Sequence, residues 1–136
     1  MTNHHTFQTI SALVQRQRLD FIAKGAPSAE QRIEIIDRLI GLLVDNADEI
    51  ADAVSDDFGH RSIDFSRVTE VLSPLGTLKR VKPKIADWMK PELRSSEGGN
   101  AWVRYQPKGV IGIMATWNFP MNLAFKGLAD TIAAGN

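Results

Sequence analysis

The sequence predicts an α/β fold that is mostly α-helical over its 136 residues, with long helices first and then one strand and one helix. From residue 7 to residue 89, apolar residues recur at the three- and four-residue intervals of amphipathic helices. Near the end, the short apolar run at residues 110–114 precedes a turn-like stretch and a last helical pattern, which is the order of an α/β half-unit. We therefore divide the chain into a helical region (1–93), a linker with a strand (94–106) and the start of an α/β domain (107–136).

Composition narrows the classes of function. Sixteen basic and sixteen acidic residues cancel, and the basic cluster at residues 79–84 has no interleaved aromatic side chains, so we predict no nucleic-acid partner. No apolar run reaches the roughly 18 residues of a membrane span. The chain has no cysteine, which excludes disulfides and thiolate metal sites and fits a cytoplasmic protein. We predict no metal site.

The first helix is expected over residues 7–23, and Gly25 and Pro27 end it. Residues 1–6 are polar, and we expect a frayed terminus there. The adjacent His4 and His5 lack the spacing that would aim both side chains at one metal ion.

A second helix is expected to begin at Ser28, where Gln31 completes a capping box, and to end at Gly59 in a left-handed cap. Its apolar stripe consists of Ile33, Ile36, Ile40, Leu43, Ala47, Ile50 and Val54. This spacing permits a coiled coil, so a dimerising helix is an alternative. Ile35, Leu39 and Leu42 broaden the stripe, which favours a helix packed on its own domain.

A third helical stretch is expected to start at Ser62 or Asp64, with kinks at Pro74 and Pro83 because proline removes a backbone hydrogen bond. Its apolar positions are Val68, Val71, Leu72, Leu75, Leu78, Ile85, Trp88 and Met89. Residues 91–100 read as turns, and the alternation at 102–106 predicts a strand.

The final segment is expected to form a buried strand at 110–114, a polar corner, and a helix with Pro120 in its first turn. The apolar face of that helix consists of Met121, Ala124, Phe125, Leu128 and Ile132. Gly135 and Asn136 supply the stop. Corners of this kind hold ligands in α/β proteins, because they lie at the carboxyl end of a strand and beside helix amides.

Three motifs in residues 107–136 occur in a fixed order: P-x-G-V-x-G, then W-N-F-P, then A-A-G-N. Their order and spacing resemble the aldehyde dehydrogenase superfamily, and the Trp-Met-Lys-Pro sequence at residues 88–91 resembles its fatty and aromatic aldehyde branch. The resemblance implies the amino-terminal part of an NAD- or NADP-dependent enzyme that oxidises an aldehyde, such as an aromatic one of the coniferyl type, to its acid. It also implies a homo-oligomer in which the strand at 102–106 serves assembly.

The same resemblance assigns Asn118 the role of oxyanion donor, and places Met114, Ala115, Thr116 and Trp117 along the path of the nicotinamide cofactor. Thr116 departs from the family pattern, in which proline is common at that position. Taken alone, Asn118 could instead cap the following helix or fill a turn, and Trp117 could be a core aromatic.

The absence of cysteine bears on activity, because enzymes of this family attack the aldehyde with a cysteine thiolate and use a glutamate as base. We therefore expect the nucleophile and the base to lie outside this chain, and the chain alone to be inactive. The rival interpretation is a non-catalytic helical dimerisation or assembly module built on the stripe at residues 33–54.

Overall fold

The described chain, residues 2–96 and 98–136 of this computed structural model, consists of α-helices, two short non-α helical segments and one β-hairpin. The helices are α1 (Thr2–Lys24), α2 (Ala29–Asp45), α3 (Ala47–Phe58), α4 (Ile63–Ser66), α5 (Ser73–Val81), α6 (Ile85–Trp88) and α7 (Pro120–Ala133). A π-helical segment (Arg67–Leu72) joins α4 to α5, and a 3-10 segment (Lys82–Lys84) joins α5 to α6. The hairpin strands are β1 (Glu92–Ser96) and β2 (Gly99–Val103). Among the described residues, none of the helices combines the length and apolarity that crossing a bilayer requires.

The start of α1 differs from the expectation. The helix begins at Thr2, so the backbone of residues 2–6 is helical where a frayed terminus was expected. Met1 and the side chains of residues 2–6, including His4 and His5, lie outside the described part of the chain.

The start of α2 confirms the predicted capping box. The Ser28 hydroxyl accepts a hydrogen bond from the Gln31 amide at 3.3 Å, and the Gln31 side chain accepts one from the Ser28 amide at 2.8 Å. Both bonds satisfy amides that have no partner inside the helix.

The second predicted helix is in fact two helices, because Asn46 interrupts it with φ −113° and ψ 21°. Its side-chain amide donates to the Leu42 carbonyl at 2.8 Å. Asparagine bonds of this type compete with the helical backbone pattern, which explains why α2 ends here. Gly59 closes α3 with φ 78°, as predicted.

Both prolines alter the third helical stretch as predicted. Pro74 lies in the first turn of α5, directly after the π-helical segment, and Pro83 lies within the 3-10 segment. Each proline lacks an amide hydrogen, so the regular i to i−4 pattern cannot pass through it.

The hydrophobic core lies between α2, α5 and α7. Its buried members are Ile36, Leu43, Val71, Leu75, Leu78, Val81, Ile85, Phe125, Ala129 and Ala133. Ile33, Ile40 and Ile50 are partly buried against the same cluster. The stripe on α2 and α3 therefore packs on the chain's own core, which supports the packed-helix interpretation over the coiled coil.

Two strand predictions need correction. Residues 91–100 were expected to be turns, but β1 pairs antiparallel with β2, in register from Glu92 opposite Val103 to Ser96 opposite Gly99. The strand expected at 102–106 therefore ends at Val103.

The buried strand expected at residues 110–114 is not a strand either, because the described chain supplies no neighbouring strand to pair with it. Met114 is 96% exposed and Ile111 is 40% exposed.

Candidate functional site

The candidate site is the corner formed by residues 114–119, between the extended run and α7. Pro120 occupies the first turn of α7, as predicted, and Phe119 before it has φ −144° and ψ 65°. The segment leading to the corner lies along α7. At its start, the Asn136 side chain accepts hydrogen bonds from the amides of Lys108 (2.6 Å) and Gly109 (3.0 Å), just beyond the end of α7.

The middle of this segment contacts the middle of α7. A Cβ atom placed on Gly127 would lie 3.0 Å from Cγ2 of Ile113, so the two residues are in close contact. The segment thus runs antiparallel to α7, and its path delivers residues 114–119 to the amino-terminal end of that helix.

Beyond the end of α7, Arg32 fixes the helix to the rest of the domain. Arg32 is 5% exposed and donates to the carbonyls of Pro27 (3.0 Å) and Ala133 (2.9 Å). Burial lowers the pKa of the Arg32 guanidinium from its ordinary value.

Asn118 lies in the corner with an exposed side chain. Its Oδ1 atom accepts a hydrogen bond of 2.6 Å from the Thr116 hydroxyl, whereas its Nδ2 atom has no partner among residues 2–96 and 98–136. The N-cap residue of α7 is Phe119, whose side chain makes no capping hydrogen bond, and the Asn122 amide in the first turn donates to Glu70. The helix-capping alternative for Asn118 is therefore not what the structure shows, and the Nδ2 group is left as an available donor.

The other four predicted site residues lie along the same exposed path. Met114 is 96% exposed and Ala115 is partly buried. Trp117 is 67% exposed and stacks on Phe58, with ring centroids 4.1 Å apart. One face of the indole packs on the protein and the remainder stays open, so Trp117 is not a core aromatic.

Arg61 binds the backbone of the corner, and the sequence did not predict this contact. Its Nη1 atom donates to the Asn118 carbonyl at 2.9 Å, and Nη2 donates to the Thr69 hydroxyl at 3.1 Å. Three aromatic rings surround the guanidinium, with centroids 4.8 to 5.0 Å from Cζ: Phe58, Phe65 and Phe119.

Glu70, also missed, is fully buried beside Arg61. Its Oε1 atom lies 3.1 Å from Nη2 of Arg61, an ion pair without hydrogen-bond alignment, and Oε2 accepts a 2.9 Å hydrogen bond from the Asn122 amide. The available signal was weak: an acidic residue within the apolar stripe, beside Val71, and no motif joins it to Arg61.

Two clefts of the described chain lie away from this corner. One is lined by α1, α2 and the carboxyl-terminal half of α7, and the other by Arg32, residues 87–92 and residues 104–107. Neither contains any of residues 114–118. The corner is an exposed edge, not a closed pocket, within these residues.

The chain matches one known protein family over almost its whole length. The model of the aldehyde dehydrogenase family matches residues 4–136. The chain is 44% identical to a protein named probable coniferyl aldehyde dehydrogenase from Caulobacter vibrioides, over 91% of this chain and 27% of that protein. It is 37% identical to coniferyl aldehyde dehydrogenase from a Pseudomonas species, over 95% of this chain and 27% of that protein.

A solved structure shows the fold. The crystal structure of aldehyde dehydrogenase 21 from Physcomitrella patens, in complex with the reaction product succinate, matches with a TM-score of 0.81. That match covers 94% of this chain and 27% of the other, at 22% identity. The mostly helical α/β fold class predicted from the sequence is confirmed, and the chain spans about a quarter of the length of the proteins it matches.

Proposed function

Because this chain belongs to the aldehyde dehydrogenase family, we propose that it supplies the oxyanion donor of an enzyme that oxidises an aldehyde to its acid. The observation that carries the proposal is the Nδ2 group of Asn118. It has no partner within the described residues, while Oδ1 is held at 2.6 Å by Thr116.

The chemistry explains why a side-chain amide suits this position. Attack of a thiolate on an aldehyde places negative charge on the former carbonyl oxygen. A preorganised donor stabilises that charge, and removal of one such donor typically costs about 100-fold or more in rate. The amide of asparagine donates hydrogen bonds without taking up or releasing a proton near neutral pH, so it does not compete with the base or the nucleophile.

The cofactor is proposed to be NAD or NADP, which accepts hydride from the substrate carbon when bound. Residues 114–117 fit such a ligand. Residues 110–115 make no backbone–backbone hydrogen bond among the described residues, and Met114 and Trp117 present exposed apolar surface. These free backbone groups and the open face of the indole are what this chain offers for binding the cofactor.

The proposed substrate is an aromatic aldehyde of the coniferyl type, in line with the names of the two bacterial relatives. We further propose a cytoplasmic homo-oligomer, with the exposed β1–β2 hairpin as the assembly strand pair. Trp102 on this hairpin is 64% exposed, as an unassembled contact surface requires.

The nucleophile and the base are proposed to come from outside these 136 residues, since the chain has no cysteine. The isolated chain is then expected to show no aldehyde oxidation. The alternative of a helical assembly module would need the apolar stripe of α2 as its contact surface. Ile36 and Leu43 of that stripe are fully buried in the chain's own core, which argues against this alternative.

The test is Asn118→Ala in a family-length polypeptide that contains this chain. We expect kcat for coniferyl-type aldehydes to fall about 100-fold or more, with KM changed less than threefold, because the lost bond forms mainly in the transition state. Gln15→Ala is the matched control, since it removes an exposed side-chain amide from α1, outside both the corner and the hairpin. A kcat for Asn118→Ala within threefold of the control would refute the role.

A further inference from the structure

The buried pair of Arg61 and Glu70 has no part in the chemistry proposed above, yet it contacts the corner on one side of Pro120 and the first turn of α7 on the other. Arg61 donates to the carbonyl of Asn118, and Glu70 accepts from the amide of Asn122. We propose that this pair is a clamp that positions the amide of Asn118, an inference that rests on the proposed function.

Burial of both side chains imposes a desolvation cost on the ion pair. The Arg61 side chain is 9% exposed and that of Glu70 is 0% exposed. Two charges withdrawn from water gain little or no net stability from each other, and apolar replacements often match them. A role other than stability therefore accounts better for the pair, and its other contacts show which role.

The contacts of the pair converge on the corner. The rings of Phe58 and Phe119 cover the guanidinium at 4.8 Å, and Trp117 stacks on Phe58. Arg61 thus contacts Asn118 directly through the carbonyl of that residue. It contacts Trp117 indirectly, through the ring of Phe58. The planar guanidinium can make these contacts at fixed angles, which a flexible ammonium cannot.

The clamp leaves Asn118 little freedom. Its carbonyl is bound to Arg61 and its Oδ1 to Thr116, so backbone and side chain are both fixed and Nδ2 keeps one direction. A preorganised donor needs no reorganisation when the oxyanion forms, and small displacements of such groups are costly to the rate. Arg61 and Glu70 are therefore positioning residues that act through Asn118.

The experiment uses three variants of a family-length polypeptide containing this chain. Arg61→Met combined with Glu70→Gln removes both charges together, so no unpaired charge remains buried to prevent folding. Arg61→Lys keeps the charge and removes the planar fork. Arg67→Gln is the matched control, because Arg67 is half-exposed and forms its ion pairs with Asp48 (2.9 Å) and Asp64 (3.3 Å), neither of which belongs to the corner or the clamp.

Two readouts separate positioning from folding. In the double variant, hydrogen exchange in a peptide covering residues 118–123 should be at least tenfold faster, and kcat at least tenfold lower with KM within threefold. Arg61→Lys should fall between the double variant and the unmodified protein, and Arg67→Gln should match the unmodified protein. Unchanged exchange, or faster exchange with unchanged kcat, would overturn the clamp.

A further variant tests the clamp separately from the proposed oxyanion role of Asn118. In an Asn118→Ala background the double variant should lower kcat no further, because the clamp acts through the missing amide. An additional tenfold loss there would overturn the positioning role while leaving the oxyanion role of Asn118 intact. A silent Asn118→Ala would refute the oxyanion role itself, and with it the function of the clamp.

Discussion

Replacing Gly135 by alanine should lower the free energy of unfolding strongly, because an alanine there would adopt an unfavourable backbone conformation and would clash with Arg32. Gly135 has φ 88°, and a Cβ atom there would lie 2.5 Å from Cζ of Arg32 and in contact with its Nη2. Arg32 is buried and donates to the Ala133 carbonyl, so the guanidinium cannot move aside without losing that bond.

The magnitude follows from the two penalties. A left-handed backbone conformation costs an alanine roughly 1–2 kcal/mol. Loss of a buried hydrogen bond from a charged donor costs about 1.5–3 kcal/mol. The expected loss in the free energy of unfolding for Gly135→Ala is therefore roughly 2.5–5 kcal/mol, a large part of the about 5–15 kcal/mol available to a typical domain.

Urea unfolding of matched glycine variants tests this calculation. Gly25 also follows a helix with positive φ, 73°, but nothing lies within 4 Å of its Cβ position, so Gly25→Ala should cost only about 1–2 kcal/mol. Gly76 lies inside α5 in open space, and Gly76→Ala should stabilise by about 1 kcal/mol. If Gly135→Ala and Gly25→Ala lower the unfolding midpoint equally, the contact between a Cβ atom at residue 135 and Arg32 contributes nothing to the loss of stability.

Three further predictions concern the capping box of α2, the pKa of Glu30, and the extended segment at residues 110–114. Ser28→Ala should lower the free energy of unfolding by about 1 kcal/mol in urea denaturation, because the amide of Gln31 loses its acceptor; an unchanged midpoint would contradict this. The pKa of Glu30 lies below its ordinary value because its carboxylate accepts hydrogen bonds from its own backbone amide and from the Ser28 hydroxyl. That contribution to stability is present above the unfolded pKa and is lost as pH falls through the lower folded pKa. Ser28→Ala should therefore raise the pKa of Glu30 in an NMR titration and reduce the loss of stability on acidification; an unchanged pKa would contradict this. The unpaired segment at residues 110–114 should make the isolated chain self-associate, and light scattering that shows a monomer at high concentration would refute this.

Local signals in the sequence predicted several of the helix ends. The capping box at Ser28, the glycine at Gly59, and the prolines at Pro74 and Pro120 act on their nearest neighbours, and all are observed as predicted. Each signal works through backbone geometry or a hydrogen bond within a few residues, so no knowledge of distant contacts was needed. The resemblance to the family, carried by short motifs near Asn118, is likewise confirmed by the family match.

Features that depend on distant partners were not predictable. The run at 110–114 has the composition of a buried strand, but a strand forms only beside another strand, and the described chain provides none there. The clamp joins Arg61, in the loop between α3 and α4, and Glu70, in the π-helical segment, to residues 57 and 52 positions further along the chain. These contacts depend on how α7 packs on the π-helical segment, which no local motif predicts. The roles of Asn118 and its neighbours in catalysis and cofactor binding remain predictions.

The oxyanion role of Asn118 is tested most directly by the position of its side-chain amide in a complete enzyme. A crystal structure of a family-length polypeptide containing this chain, with an aldehyde or an adduct analogue bound, would give the distance from Nδ2 of Asn118 to the substrate oxygen. If Asn118 is the oxyanion donor, this distance should be about 2.7–3.1 Å, with Arg61 still bound to the Asn118 carbonyl. An Nδ2 group turned towards bulk solvent, away from the thiol and the substrate oxygen, would contradict it.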